Sequence, residues 1–197
     1  MLPLTAFKNT LFVLVLSLMA CGRSQTRTPA EEKPGTPVVA ANKTGAYFPL
    51  LEGREFALVA NQTSVIFTPD GSWVHLADSL LQAGLELKKV FAPEHGFRGQ
   101  VDAGEKVKDG TDPRTGLPVL SLYGANRKPK PEQLKGLELV VFDIQDVGVR
   151  FYTYIATLQL VMEACARAGI PVMVLDRPNP NGHYVDGPVM EAAHRSF

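Results

Sequence analysis

The 197-residue chain carries 20 lysines and arginines against 20 aspartates and glutamates, a formal net charge of zero. So even a balance argues against a basic nucleic-acid groove or a polybasic membrane patch. With 45% hydrophobic residues, the chain can build one domain with a real core after an N-terminal leader and tether are set aside.

At the N-terminus Lys8 precedes an uncharged, mostly apolar run from Leu11 to Ala20. The run has signal-peptide length and is too short to span a bilayer as a stable helix. Leu18-Met19-Ala20-Cys21 resembles the lipobox of bacterial lipoproteins. That resemblance implies a signal peptide over 1–20, lipid attachment at Cys21 and a protein tethered to a membrane of the bacterial cell envelope. The competing reading is a buried apolar helix with an incidental cysteine. Residues 21–44 lack apolar periodicity and read as a flexible tether, so the folded domain is expected over 45–197.

Within that domain, Glu55 to Ala60 reads as the first strand. Ser72 is expected to cap a helix through Ala83, with Trp73, Leu76, Ala77 and Leu80 on one face and Gly84 as its left-handed stop. Leu85 to Ala92 forms a second strand that Pro93 ends by withholding a backbone donor. Leu117 to Leu122 gives a third, and Lys130 to Leu134 a short helical turn. Leu137 to Phe142, nearly free of charge, reads as a central strand buried on both faces. A helix follows over 153–168, with Ile155, Leu158, Val161, Met162 and Cys165 as its core stripe and Gly169 as its stop. Pro171 to Leu175 completes the set as another buried strand. Strands separated by helices predict an α/β domain with a mostly parallel sheet. The chain ends just after a loop, from Glu191 to Phe197, without a closing element, and is expected to be incomplete.

Polar residues gather where the strands stop: Asn61 to Ser64, Glu94-His95, Tyr123-Gly124, Asp143 to Asp146, and Asp176 to Asn179. In a parallel sheet these clusters share one rim, where open α/β sheets bind ligands. Glu94 is therefore the first candidate for a catalytic acid or base. Glu94, His95 and Arg98 also fit a solvated turn with an internal ion pair, and Asp143 and Asp176 each fit a helix cap or turn. The chain has no dinucleotide-binding glycine fingerprint, phosphate-binding P-loop or serine-nucleophile elbow. His75, His95, His183 and His194 lack metal-ligand spacing, so neither cofactor nor metal is expected. The rim holds carboxylates, carboxamides, arginines and aromatics, a set suited to binding and cleaving sugars. Glu94 fits the proton donor of a glycosidase, and Asp143, Asp146 and Asp176 are candidates for a second carboxylate. Asn61, Gln145, Arg150, Tyr152 and Asn179 can bind hydroxyl, acetamido or carboxylate groups.

Four segments carry a closer likeness: Asn61-Gln62-Thr63, Phe91 to Gly99 (FAPEHGFRG), Asp143 to Tyr154 (DIQDVGVRFYTY) and Asp176 to Pro180 (DRPNP). In this order they resemble the exo-acting β-N-acetylmuramidases of the NamZ type. The resemblance implies a Rossmann-like three-layer N-terminal domain, with the family's smaller C-terminal domain outside this chain. It also implies release of N-acetylmuramic acid (MurNAc) from non-reducing ends of peptidoglycan fragments, with Glu94 as the catalytic glutamate and His95 among the substrate-binding residues. MurNAc carries a lactyl carboxylate that a guanidinium can grip in two parallel hydrogen bonds, which suggests Arg98, Arg150 and Arg177. The implied partners are muropeptides and, through Cys21, a membrane. Two alternatives stay open: a domain that binds muropeptide without cutting it, and a structural envelope lipoprotein with a vestigial rim.

Overall fold

The structure, a computed structural model, describes residues 37–99 and 108–195. The apolar run before Cys21, Cys21 itself and the tether up to residue 36 lie outside the described residues. Among the described residues there are eight strands: β1 (Phe56–Ala60), β2 (Val65–Phe67), β3 (Trp73–His75), β4 (Leu87–Ala92), β5 (Gly110–Thr111), β6 (Pro118–Ser121), β7 (Leu139–Asp143) and β8 (Val172–Val174). Four α-helices accompany them: α1 (Thr44–Leu51), α2 (Leu76–Gln82), α3 (Pro131–Leu134) and α4 (Tyr154–Ala168). The main sheet runs β5-β6-β4-β1-β7-β8. All of its pairings are parallel except β5 with β6.

Burial on both faces explains why the central strands read as unbroken apolar runs. Phe56, Leu58, Ala60, Val90, Ala92 and Val141 pack on one side with Leu76, Ala77 and Leu80 of α2 and with Tyr47 and Leu51 of α1. Ala57, Val59, Phe91, Val140 and Phe142 point the other way, against Leu134 of α3 and Tyr154, Val161 and Cys165 of α4. The alternation is the period-2 geometry of a strand sandwiched between helix layers. The result is the expected three-layer α/β fold.

Local differences from the sequence reading have physical causes. The helix expected from Ser72 begins only at Leu76, because Trp73–His75 pairs antiparallel with Val65–Phe67. Asp70 closes that hairpin by accepting from the Ser72 backbone and from the Thr68 and Ser72 hydroxyls. Trp73 consequently stays exposed, and His75 caps α2 by accepting from the Ala77 backbone at 3.2 Å. Gly84 does stop α2, at φ +74, with Leu85 N–H donating to the Leu80 carbonyl.

In α4 the buried stripe is Tyr154, Thr157, Val161 and Cys165. Ile155 and Met162, expected in the core, are 62% and 50% exposed. Two apolar stripes lie side by side on α4, and only one can face the sheet. Strand β8 lies at the sheet edge and is half-buried, with Val174 exposed, rather than the fully buried strand its composition suggests. The folded unit also starts before Gly45. Ala41 is fully buried, Tyr47 donates to its carbonyl at 2.8 Å, and the Ala40 amide donates to the Asp176 carbonyl.

Candidate active site

Taken in chain order, the five parallel strands β1, β4, β6, β7 and β8 lie third, second, first, fourth, fifth across the sheet. Strand order therefore reverses between β1 and β7, and a crevice opens at the carboxyl ends there. The loops after these two strands are sewn together. Asn61, fully buried, accepts on Oδ1 from the Thr63 amide at 2.8 Å and the Thr63 hydroxyl at 2.6 Å. Thr63 Oγ1 in turn accepts from the Gln145 amide at 3.0 Å, and the Ser64 hydroxyl donates to the Asp143 carbonyl. His75 Nε2 meets the Asn61 carbonyl at 3.0 Å while Nδ1 accepts from Ala77, which defines a neutral ring with its proton on Nε2. Burial keeps that ring's pKa below the usual histidine value.

Glu94 emerges one residue past Pro93 in a turn closed by the Gly96 amide on the Pro93 carbonyl at 3.1 Å. His95 occupies that turn at φ +69, the one left-handed non-glycine residue among the described residues. This conformation costs about 1–2 kcal/mol for a residue with a Cβ, and such strain gathers at functional sites. Phe97 then buries edge-to-face on His75, with ring centroids 4.7 Å apart, and anchors the turn.

Around Glu94 a cleft of about 340 Å³ is lined by Gln62, Thr63, His95, Gln145 and the aromatic run Phe151, Tyr152 and Tyr154. A second lobe of about 230 Å³ shares Glu94 and Thr153 and adds Leu122, Tyr123, Arg127 and Leu160. The neighbouring Glu94 carboxylate raises the pKa of the Tyr123 phenol. Tyr152 stacks edge-on to Tyr154 at 5.8 Å, and Phe151 projects into solvent at 81% exposure. Exposed aromatic faces beside carboxamides and hydroxyls suit the mixed apolar and polar faces of a sugar ring.

Several expected ligand-binding residues are engaged in hydrogen bonds within the fold. Arg98 donates from Nε and Nη2 to Asp112, both at 2.8 Å, and from Nη2 to Asp78 at 2.8 Å, with its guanidinium 4.8 Å from the Phe97 ring centroid. Arg177, buried, pairs in a fork with Asp143 at 2.6 and 2.9 Å and caps the Val65 carbonyl at 2.9 Å. Burial pushes the Asp143 carboxyl up, against the pull of that guanidinium. Neither arginine presents a vacant fork to a substrate carboxylate, and Asp143 does not face the cleft. Asn61 spends its Oδ1 on its own turn, while its buried Nδ2 makes no hydrogen bond among the described residues.

Asp146, Asp176 and Asn179 line a separate cleft of about 180 Å³ between α4 and β8. None of the three proposed second carboxylates therefore borders Glu94. Gln145 does line the larger lobe, while its Nε2 ties the loop to the Asp146 and Pro178 carbonyls at 2.6 and 3.1 Å. Arg150 is exposed on the adjoining loop and makes no ion pair or hydrogen bond among the described residues.

Gln62, Thr63, Val147, Phe151, Thr153 and Tyr154 line the cleft from within the four segments without being expected site residues, and Tyr123 does so from the rim. Thr157 and Leu160 gave no strand-end signal, because they reach the smaller lobe from one and two turns inside α4.

Fold and site thus define an α/β domain with a carbohydrate-compatible crevice at its topological switch point and a glutamate at the crevice centre. Residues 56–197 match the family described as exo-beta-N-acetylmuramidase NamZ, N-terminal, and the chain belongs to that family. It is 40% identical over 201 aligned residues to the peptidoglycan beta-N-acetylmuramidase NamZ of Bacillus subtilis (strain 168), covering 96% of this chain and 47% of that relative. Among solved structures, two DUF1343 family proteins of Bacteroides fragilis superpose with TM-scores of 0.67 and 0.65 at 39% and 40% identity. These alignments cover 80% and 81% of this chain and 39% and 40% of theirs. The chain spans about half the length, or less, of these relatives.

Proposed function

We propose that this domain carries the catalytic acid of an exo-acting glycoside hydrolase that releases MurNAc from the non-reducing ends of peptidoglycan fragments during cell-wall turnover. The observation that carries the reading is the place of Glu94: it is the one carboxylate bordering both lobes of the switch-point crevice among the described residues. The activity named for the Bacillus subtilis relative supports the substrate class. In the proposed step the Glu94 carboxyl gives its proton to the glycosidic oxygen as the bond from C1 breaks, and that oxygen leaves with the next sugar. Water then adds to C1 and surrenders a proton to a base. We assign the lactyl carboxylate to Arg150, exposed on the loop that adjoins the cleft, because Arg98 and Arg177 already pair with carboxylates of the fold.

Mass spectrometry of muropeptide digests tests this reading. Free MurNAc should appear from fragments with MurNAc at the non-reducing end and not from fragments whose non-reducing end is N-acetylglucosamine (GlcNAc). Release from both, or from neither, would contradict it.

We further propose that the protein is held at the bacterial cell envelope by lipid on Cys21, which would place the crevice beside its polymer. Cys21→Ala should move the protein from the membrane fraction to the soluble fraction. Retention of the variant in membranes would remove the anchor from the account.

A further inference from the structure

The crevice is divided, and Glu94 stands on the divide. The larger lobe sets Gln62, Thr63 and Gln145 against Phe151, Tyr152 and Tyr154, and the smaller one is lined by Leu122, Tyr123 and Leu160 together with Arg127 and Thr157. Both include Glu94 and Thr153, so a group held in either lobe lies against the same carboxyl. An acid that protonates a glycosidic oxygen needs one sugar on each side of it. MurNAc is GlcNAc enlarged by a lactyl ether, and the larger lobe, at about 340 Å³ against 230 Å³, has more room for the bulkier ring. Tyr123 is a wall of the smaller lobe alone, on the side of Glu94 that faces away from Gln62, Thr63 and Gln145.

From this geometry, and resting on the glycosidase reading above, we infer that the smaller lobe between α4 and the end of β6 is the leaving-group subsite. It receives the GlcNAc ring on Leu122, Tyr123 and Leu160. Thr153, at the N-terminal end of α4, borders both rings.

The test compares two substrates on the native protein: β-MurNAc-(1→4)-GlcNAc, whose leaving group needs the subsite, and β-MurNAc fluoride, whose leaving group is a single atom. Leu160→Trp fills the smaller lobe. It should lower kcat/KM on the disaccharide by about tenfold or more and leave the fluoride within about twofold. Equal losses on both substrates, or no loss on either, would overturn the subsite while leaving the glycosidase reading intact. A second measurement needs no variant. Titrating the wild type with free GlcNAc should shift the methyl resonances of Leu122 and Leu160 and leave Val147, on the larger lobe, unmoved. A shift confined to Val147 would overturn the assignment. If the wild type turns over neither substrate, the glycosidase reading fails, and the methyl titration alone decides whether the lobe binds a hexosamine.

Discussion

Arg98 shows how a residue that looks ready for a ligand can be occupied by its own fold. Its guanidinium joins the Glu94 turn to α2 through Asp78 and to the loop after β5 through Asp112. The Arg98 hydrogen bonds, helped by the Thr115 hydroxyl and opposed by burial, hold Asp112 at about 2 against an ordinary 3.8. The unfolded chain therefore takes up the proton first, and the stabilisation is present above about pH 3.8 and lost as pH falls toward 2. A shift of that size corresponds to about 2 kcal/mol. Arg98→Ala should cost about 2–3 kcal/mol near neutrality and flatten the dependence of stability on pH between about 4 and 2 in urea melts. An unchanged slope would mean that the pair contributes nothing. His75 adds a limb at higher pH: with its pKa lowered by burial, stability falls as pH drops below about 6.5. At this scale the sequence disclosed Glu94, because Pro93 had to end the strand in front of it. It did not disclose the partners of Arg98, which lie 20 and 14 residues away and meet it only through the fold.

Among the elements, strands surrendered their positions most readily, since burial on both faces leaves a dense apolar run that few other structures tolerate. Trp73-Val74-His75, expected as the first turn of a helix, forms a strand for the opposite reason: three residues carry no decisive period, and pairing with Val65–Phe67 outweighs helix propensity. The loop after β7 depends on a close approach that sequence hints at only through Gly148. That glycine sits at φ +69, and a Cβ there would collide with the Asn179 carboxamide. Asn181 Nδ2 meanwhile holds the Val147 carbonyl at 2.8 Å. Gly148→Ala should therefore cost about 2–4 kcal/mol, combining backbone strain with displacement of Asn179. Gly116→Ala, at φ +74 in open space, should cost only about 1–2 kcal/mol. Thermal melts of the two variants separate the terms. Equal losses would show that the contact with Asn179 carries no energy, and hydrogen exchange at Val147–Tyr152 should quicken only in Gly148→Ala.

Across the whole domain, the order of parallel strands is what turns scattered motifs into a site. The reversal between β1 and β7 opens the crevice that Glu94 borders from β4, and Tyr123 approaches from β6. The existence of a common rim was legible once the strands were read as parallel. Which strand ends converge was not, because strand order rather than sequence order assigns neighbours, and the Asp176 to Asn179 cluster at the β8 edge falls outside the Glu94 lobes. If Glu94 donates a proton to a departing sugar oxygen, as proposed, its loss must matter in proportion to how much the leaving group needs that proton. Glu94→Gln should slow hydrolysis of β-MurNAc-(1→4)-GlcNAc by about 10²–10⁴-fold. It should slow a 2,4-dinitrophenyl β-MurNAc glycoside, whose leaving oxygen needs no proton, far less. Undiminished turnover of the disaccharide, or the same loss on both substrates, would contradict the account.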